Sequence, residues 1–198
     1  MKLACIDLEG VLVPELWPAI AAHTGIDALT VTTRDVPDYG ALMRTRIEIL
    51  RDNGLTLAEV TRIIDSVAPF ADARAFLEDL SQAGYEVNII SDCFHELADP
   101  LLEVLGRPTT MCHRLIVDVS GFITGCDFYK RQGKEDHVAQ ALAQGFEVLA
   151  VGDALNDVGM LRLASHGFLV NPSVTTRQAA PGIRAVSGVS EILGFLAA

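Results

Sequence analysis

The sequence predicts an α/β protein built on a doubly wound parallel sheet, and two patterns support this fold class. The chain opens with an apolar run, Leu3 to Ile6, that stops at Asp7, which is typical of a strand covered on both faces. Residues 84–92 and 145–153 then share one order of residue types: Gly, aromatic, Glu-Val, an apolar stretch, a small residue and Asp. Each of these segments follows a helical pattern, so helix and strand alternate as they do around a parallel sheet.

Three predicted strands therefore end in an aspartate: Asp7, Asp92 and Asp153. Right-handed crossovers bring the carboxyl ends of parallel strands to the same edge of the sheet, where ligands of such folds bind. Carboxylates that crowd together repel one another unless a cation lies between them. The sequence thus predicts an acidic, cation-binding site at this edge.

The stretch between the first strand and the next predicted strand is too long for a simple crossover, and it has helical periodicity. Three short helices are predicted in it: Pro14–His23, Pro37–Asn53 and Thr56–Val67. We interpret residues 14–70 as a helical cap domain and residues 1–13 with 71–198 as the core domain. A lid beside the first strand can close over a site and exclude water. Trp17 and Met43 are expected to pack the cap helices together.

The second half of the chain carries additional strand signals. Two short apolar stretches, 115–118 and 122–125, flank Ser120-Gly121 and predict a β-hairpin. We expect this hairpin to lie at the carboxyl edge of the sheet. The end of the chain indicates a short strand over 167–170 and a closing helix over 190–196.

Composition and charge exclude several classes of partner. The chain has 198 residues, a formal net charge of -11 and no block of basic residues, which argues against nucleic acid and against an anionic membrane surface. No segment has the pattern of a signal peptide or the length of a membrane-spanning helix, so a cytoplasmic location is expected. The cysteines lie too far apart for a zinc site or a disulfide framework. They are Cys5, Cys93, Cys112 and Cys126.

Four motifs follow one another in an order that is typical of a known superfamily. They are Asp7-Leu8-Glu9-Gly10, Ser91-Asp92, Lys134 and Gly152-Asp153-Ala154-Leu155-Asn156-Asp157. In this order the chain resembles the haloacid dehalogenase-like (HAD-like) phosphatases, above all the phosphoserine phosphatase branch that also transfers the phosphoryl group to homoserine. The resemblance covers essentially the whole chain. It implies a Rossmann-like core with a helical cap inserted after the first strand.

The resemblance assigns the first motif to the chemistry of phosphoryl transfer. Asp7 would be the nucleophile that forms an aspartyl-phosphate, and Glu9 would be the general acid and base. Most of the superfamily has aspartate where this chain has Glu9, and the phosphoserine/homoserine branch shares the glutamate. The family also implies Mg²⁺, held by Asp7, the backbone carbonyl of Glu9, Asp153 and Asp157. Because Asp157 stands where a helix begins, helix capping is the alternative role for it.

Three further positions would contact the phosphoryl group or the molecule that carries it. By the same resemblance, Ser91 would donate a hydrogen bond to the phosphoryl oxygens, and Lys134 would stabilise their charge. Lys130 and Arg131 compete with Lys134 for that role. Asp92 stands where ordinary phosphoserine phosphatases have glycine, and we interpret it as a group that positions an amino group or an acceptor hydroxyl.

The predicted cap contributes residues that would bind the amino acid part of the substrate. The resemblance assigns an ammonium group to Glu15 and a carboxylate to Arg46. Arg44 is a neighbouring candidate for the carboxylate, and either arginine could instead pair with Glu48 on an exposed helix face. Asn156 completes the predicted substrate-binding set.

The resemblance implies Mg²⁺-dependent hydrolysis of O-phosphoserine to serine and phosphate, with water or homoserine as the phosphoryl acceptor. The sequence leaves the acceptor and the oligomeric state open. One alternative within the superfamily is a phosphatase or mutase for another small phosphate ester; another is a carbon-halogen hydrolase, which does not need the acidic pair at Asp153 and Asp157. A receiver-type phosphoacceptor signalling module is the alternative from another class. The chain length, the helical insertion and the second acidic pair argue against the receiver.

Overall fold

A seven-stranded, mostly parallel sheet forms the centre of the part of the protein that the structure describes. The structure is a computed structural model, and it describes residues 1–32, 35–36, 38–128 and 133–196. The strands are β1 (Lys2–Ile6), β2 (Tyr85–Phe94), β3 (Thr109–Val117), β4 (Ile123–Asp127), β5 (Glu147–Gly152), β6 (His166–Val170) and β7 (Arg184–Val186). They lie in the order β4-β3-β2-β1-β5-β6-β7. β4 runs antiparallel to β3, and the other neighbours are parallel.

The predicted fold class is confirmed, with β1 at the centre of the sheet. β2 and β5, the two segments that share one residue pattern, pair with β1 on either side, so Ile6, Ile89 and Val151 lie at the same level. From Leu3 to Ile6 every side chain is buried, because both faces of β1 are covered. Beyond the strand, the N–H of Asp7 still donates to the Val151 carbonyl at 2.9 Å. The ends of β1 and β5 therefore lie side by side, and β2 continues beyond them.

Helices cover both faces of the sheet. They are α1 (Leu16–Thr24), α2 (Tyr39–Asp52), α3 (Leu57–Ile64), α4 (Ala73–Gln82), α5 (His95–Val104), α6 (Lys134–Ala143), α7 (Val158–Leu163), α8 (Val174–Ala179) and α9 (Ser190–Leu196), with 3-10 turns at Asp27–Thr30 and Leu155–Asp157. Side chains of α4, α5 and α9 share one apolar cluster with Ala4 and Ile6. Those of α6 and α7 share another with Leu3 and Cys5. Among the described residues, no helix is long and apolar enough to cross a membrane.

The segment between β1 and α4 is helical, as predicted, but its helices are shorter than the sequence pattern indicates. α1 begins two residues later than predicted, and Gly25, with φ of 71°, ends it in the left-handed conformation. α2 follows the cap residue Asp38, and the predicted start at Pro37 lies outside the described residues. α3 ends at Ile64, three residues earlier than predicted. The division of the chain into core and cap domains stays a prediction.

The predicted hairpin is present, but its first strand is not a separate element. β3 starts parallel to β2 and, beyond a register shift in β2 between Ile90 and Phe94, pairs antiparallel with β4. The Asp118 carboxylate closes the turn, since it accepts the N–H groups of Ser120 at 2.8 Å and Phe122 at 3.1 Å. The hairpin is therefore the carboxyl end of a sheet strand that continues into β4.

The C-terminal part adds two elements that the sequence analysis missed. β6 and α9 confirm the predicted strand and closing helix, whereas β7 and α8 lie between them. β7 has three residues and α8 has six, which is too short for a clear periodic pattern. α8 starts after Ser173, whose hydroxyl oxygen accepts the N–H of Thr176 at 3.1 Å.

The helical segment docks onto the carboxyl edge of the sheet through main-chain groups. Among the described residues, four hydrogen bonds join the two parts: Leu16 N–H to the Glu9 carboxylate at 2.7 Å, Tyr39 Oη to the Asp92 carbonyl at 2.6 Å, Leu57 N–H to the Gly121 carbonyl at 2.9 Å, and Phe70 N–H to the Leu12 carbonyl at 2.9 Å. α2 also packs against β4, and α3 packs against α5. The helices α1 to α3 therefore lie beside the ends of β1 and β2.

Candidate active site

Three aspartates meet beyond the carboxyl ends of β1 and β5. Asp7 follows β1, Asp153 follows β5, and Asp157 closes the 3-10 turn that comes next. One carboxylate oxygen from each lies within 4.8 Å of the other two. Asp7 and Asp157 are buried, and Asp153 is partly exposed. The predicted convergence of the first and third acidic strand ends is confirmed.

Two glycines permit this crowding. A Cβ at Gly10 would lie 2.4 Å from Asp153 Oδ2, and a Cβ at Gly152 would lie 2.4 Å from Cγ of Asp157. Gly10 also has φ of +77°, a left-handed conformation that L side chains rarely adopt. A side chain at either position would displace one of the carboxylates.

Lys134, the first residue of α6, is buried between two of the aspartates. Its Nζ lies 2.8 Å from Asp7 Oδ1 and 2.7 Å from Asp157 Oδ1. Burial alone lowers the pKa of this lysine, but the charges of Asp7 and Asp157 outweigh burial and hold the pKa above its usual range. The competing candidates Lys130 and Arg131 lie outside the described residues. Lys134 is therefore a charged group of the acidic cluster.

Asp157 organises the loop that follows β5. Its Oδ2 accepts the N–H groups of Asp153 at 3.0 Å and Ala154 at 3.2 Å, while its Oδ1 accepts a hydrogen bond from Lys134. The capping role considered for Asp157 is thus confirmed for the turn, and its role as a metal ligand stays a prediction. Both of its oxygens are bonded, so Asp157 fixes the positions of Asp153 and Lys134.

The cluster carries more negative than positive charge. Burial raises the pKa of Asp7 well above its usual value, and Asp157 raises it further, although Lys134 opposes the shift. Burial and Asp157 also raise the pKa of Asp153 to about 7. Within the described part of the chain, Lys134 is the one cation in contact with these carboxylates. An oxygen-only donor set with excess negative charge fits a hard divalent cation.

Glu9 lies between the acidic cluster and α1. Its Oε1 accepts the N–H of Leu16 at 2.7 Å, so one carboxyl oxygen is fixed at the start of the helix. Burial and the charge of Glu15 raise the pKa of Glu9 to about 7, although the Leu16 hydrogen bond and the charge of Arg46 lower it. A carboxyl group with this pKa can donate and accept a proton near neutral pH.

Ser91 and Asp92 lie within the irregular end of β2 rather than after it. β2 continues to Phe94, and its pairing with β3 shifts register between Ile90 and Phe94. Ser91 is buried, and its hydroxyl oxygen accepts the N–H of Cys93 at 3.2 Å. The predicted strand end is therefore a distorted stretch of β2.

Asp92 is joined to residues from three other elements. Its Oδ2 accepts a hydrogen bond from Asn156 Nδ2 at 3.1 Å, and its Oδ1 lies 3.7 Å from His113 Nε2. The Tyr39 hydroxyl donates to its main-chain carbonyl. His113 is buried against the rings of Tyr39 and Phe128. Asp92 and Asn156, which are both predicted to bind substrate, are thus in contact. The sequence analysis did not identify Tyr39 and His113 as neighbours of Asp92, because no motif marks them.

The structure distinguishes the two candidate arginines of α2. Arg46 is 6% exposed, whereas Arg44 is an exposed residue. The alternative in which Arg46 pairs with Glu48 on an exposed helix face is therefore wrong. Arg46 is the arginine that lies in the interior beside the site.

The Arg46 guanidinium is held inside the helical segment and interacts with both glutamates of the site. Its Nη2 donates to the Val31 carbonyl at 2.7 Å. Its Nε is buried and has no hydrogen-bond partner among the described residues. Burial lowers the pKa of Arg46, while the charges of Glu9 and Glu15 raise it. Glu15 itself is exposed, at the residue before α1.

A doubly wound sheet, an acidic cluster at the end of its central strand and a helical insertion after that strand define a class of hydrolases. Residues 1–165 match the haloacid dehalogenase-like hydrolase family. The chain belongs to this family and is an enzyme. This membership decides against the receiver-type signalling module.

Particular relatives carry a more specific name. Phosphoserine phosphatase ThrH of Pseudomonas aeruginosa is 43% identical over 169 residues, which cover 85% of this chain and 82% of that protein. A phosphoserine phosphatase of Pseudomonas syringae pv. tomato is 38% identical over 192 residues, covering 97% of this chain and 81% of that protein. Among solved structures, a phosphoserine phosphatase captured as a phospho-aspartyl intermediate analogue superposes with a TM-score of 0.81 at 24% identity, covering 98% of each chain. That structure shares the fold.

Proposed function

We propose that this enzyme is a Mg²⁺-dependent phosphoserine phosphatase that works through an aspartyl-phosphate at Asp7. The observation that carries the proposal is the position of Asp7, a buried carboxylate at the end of the central strand, in contact with Lys134 and close to Asp153 and Asp157. The two Pseudomonas relatives, both named phosphoserine phosphatases, support the choice of substrate.

The contacts of Asp7 suit a nucleophile. Its Oδ1 accepts hydrogen bonds from the Leu8 N–H and from Lys134 Nζ, both at 2.8 Å. We assign the attack on phosphorus to Oδ2, for which the described residues supply no hydrogen-bond donor. Attack forms the bond between Oδ2 and phosphorus and breaks the bond from phosphorus to the serine oxygen. Lys134 and the Ser91 hydroxyl stabilise the charge of the phosphoryl oxygens.

Glu9 moves the proton in both halves of the reaction. In its protonated form it donates to the leaving serine oxygen, and as a carboxylate it then takes a proton from the incoming acceptor. Because Leu16 holds Oε1, Oε2 is the oxygen that carries this proton. A pKa of about 7 allows Glu9 to serve both halves at neutral pH.

The acidic cluster provides the residues that would hold Mg²⁺. We assign direct ligation by a side chain first to Asp153, since both oxygens of Asp157 and Oδ1 of Asp7 already accept hydrogen bonds. Asp7 would lie beside the ion as its attacking oxygen approaches phosphorus. The backbone carbonyl of Glu9 would be a further ligand, and Asp157 would keep Asp153 and Lys134 in position around the ion. When bound, the ion neutralises the carboxylates and the phosphoryl oxygens together.

The helical segment supplies the groups that bind the amino acid part of phosphoserine. The unpartnered Nε of Arg46 is available to a substrate carboxylate, and Glu15 to its ammonium group. We assign Asp92 and Asn156, which are hydrogen-bonded to each other, to the same subsite. Homoserine carries the same ammonium and carboxylate groups, so this subsite can also bind it as an acceptor.

A cytoplasmic location is also part of the proposal. None of the four cysteines, all of which lie in the described part of the chain, is joined in a disulfide, which is usual for cysteines in a reducing compartment.

The test is incubation with O-phosphoserine, Mg²⁺ and homoserine while free phosphate and phosphohomoserine are measured together. We expect phosphoserine to be consumed, and Asp7→Asn to lower turnover by about 10³-fold or more. Asp99→Asn, the same change at an exposed position on α5, is the matched control and should leave turnover intact. An enzyme that never consumes phosphoserine overturns the substrate, and an active Asp7→Asn variant overturns the nucleophile. If Asp92→Gly leaves the ratio of hydrolysis to transfer unchanged, Asp92 has no role in acceptor choice.

A further inference from the structure

We propose that Trp17 is a positioning residue, whose indole ring fixes the Arg46 guanidinium in the orientation that selects a substrate with a carboxylate. The inference rests on the proposed function, which assigns Arg46 to the substrate carboxylate. Trp17 belongs to α1 and Arg46 to α2, and Cζ of Arg46 lies 4.4 Å from the centre of the Trp17 ring. At this distance the positive charge is attracted to the face of the ring.

The contact with Trp17 adds to the restraints on the orientation of the Arg46 guanidinium. Nη2 donates to the Val31 carbonyl at 2.7 Å, and Nη1 lies 3.9 Å from the Met43 sulfur. A single strong hydrogen bond leaves a planar group free to turn about that bond. The Trp17 ring lies against the guanidinium carbon, so it restricts this rotation and keeps the edge that carries Nε in one direction.

The lack of a hydrogen-bond partner for Nε indicates that this orientation of the guanidinium is suited to binding a ligand. Arg46 is 6% exposed, yet its Nε has no acceptor among the described residues. A buried donor without a partner costs free energy, and a bound carboxylate supplies the partner through two parallel hydrogen bonds. Two parallel hydrogen bonds require the guanidinium plane to be held in one orientation, and the contact with Trp17 holds it there.

The position of Trp17 in α1 ties this restraint to the rest of the site. Glu9 accepts the N–H of Leu16, and Glu15, which we assign to the ammonium group, directly precedes the helix. The first turn of α1 therefore places the ammonium-binding residue and the ring that orients the carboxylate-binding residue together. Packing of the helices alone explains the burial of Trp17, but it does not explain a buried cation stacked on its face.

Paired substrates separate positioning from packing. O-phosphoserine carries the carboxylate, and O-phosphoethanolamine has the same ammonium and phosphate groups without it. For Trp17→Leu we expect KM for phosphoserine to rise about tenfold while kcat stays within about twofold. The ratio of kcat/KM for phosphoserine to that for phosphoethanolamine should fall about tenfold. Trp17→Phe, which keeps a ring, should restore most of the ratio, and in an Arg46→Met background Trp17→Leu should change it no further.

The outcomes distinguish this inference from the proposed function. An equal loss with both substrates, or no rescue by phenylalanine, means that Trp17 only packs the helices and overturns the inference. A wild-type enzyme that hydrolyses phosphoethanolamine but never phosphoserine overturns the proposed function instead.

Intrinsic fluorescence gives a second measurement that needs no Trp17 variant. The chain has one tryptophan, so its emission reports on Trp17 alone. In the Asp7→Asn variant, phosphoserine should change the emission in a saturable way, and phosphoethanolamine should change it much less. Equal changes with the two compounds, or no change with either, contradict the inference.

Discussion

Replacing Lys134 with methionine tests the electrostatics of the acidic cluster most directly. Methionine has a similar length and no charge, so it keeps much of the packing and removes the ammonium group from beside Asp7 and Asp157. Arg74→Met on α4 is the matched control, because Nε of Arg74 lies 2.9 Å from Glu78 Oε1. The N–O distances are nearly the same, but the Lys134 side chain is 3% exposed and the Arg74 side chain 61%.

This difference in burial sets the expected magnitudes. Removing one partner of a buried ion pair costs about 3–5 kcal/mol, whereas an exposed pair contributes about 0.2–1 kcal/mol. Lys134 contacts two carboxylates, so we expect Lys134→Met to lose about 4–5 kcal/mol of unfolding free energy at pH 8 without divalent cations. Burial raises the pKa of both Asp7 and Asp153, so both groups favour the folded state below their unfolded pKa. Asp153 loses this contribution as pH rises through about 7. The loss of unfolding free energy caused by Lys134→Met should therefore be smaller at pH 5 than at pH 8.

Urea unfolding in EDTA, followed by circular dichroism at pH 8 and pH 5, measures these free energies. With a slope of about 2 kcal/mol/M, the loss at pH 8 corresponds to a midpoint lower by about 2 M. Adding Mg²⁺ should return part of the loss, since a divalent cation compensates the same carboxylates. A loss at pH 8 no larger than that of Arg74→Met refutes the reasoning. An equal loss at both pH values assigns the effect to packing.

Three other expectations follow from the geometry. Gly10→Ala and Gly84→Ala should each lower the free energy of unfolding in urea by about 1–2 kcal/mol, since both glycines have positive φ. Only Gly10→Ala, whose Cβ meets Asp153, should also lower activity. Equal activities of the two variants contradict this. Glu9→Gln should slow phosphate release by about 10²–10⁴-fold. In the wild type, the rate of dephosphorylation should increase as pH rises through about 7, where the base form of Glu9 appears, and the variant should lack this increase. An increase that persists in the variant argues against Glu9 as the general base. Mg²⁺ should raise the Tm of the wild type but not of Asp153→Asn, and equal shifts exclude Asp153 as a ligand.

The acidic cluster could be predicted because each strand that carries it is recognisable on its own. Asp7 follows a fully apolar run, and Asp153 follows a segment that shares its residue pattern with β2. The geometry of parallel sheets then brings the strand ends together. Lys134 is different, since its local pattern is that of any lysine near a helix start. Its role came from the order of the motifs, and its burial is visible only in the structure.

Contacts between distant segments could not be predicted. Tyr39 reaches the Asp92 carbonyl across 53 residues of chain, and His113 reaches the same residue through a shifted register between β2 and β3. Neither contact leaves a periodic or compositional signal. The start of α1 depends in the same way on Glu9, which bonds Leu16 from seven residues upstream, so helix propensity alone does not set that boundary.

The docking of the helical segment has a consequence for how this enzyme can diverge. One of the four docking hydrogen bonds ends on the Glu9 carboxylate, whereas on the core side the other three end on main-chain carbonyl oxygens, those of Asp92, Gly121 and Leu12. Every residue type has a carbonyl group, so side chains at these positions can be exchanged without loss of the acceptor. Mutation can therefore change the side chains at these three positions while the helical segment keeps the corresponding attachment points.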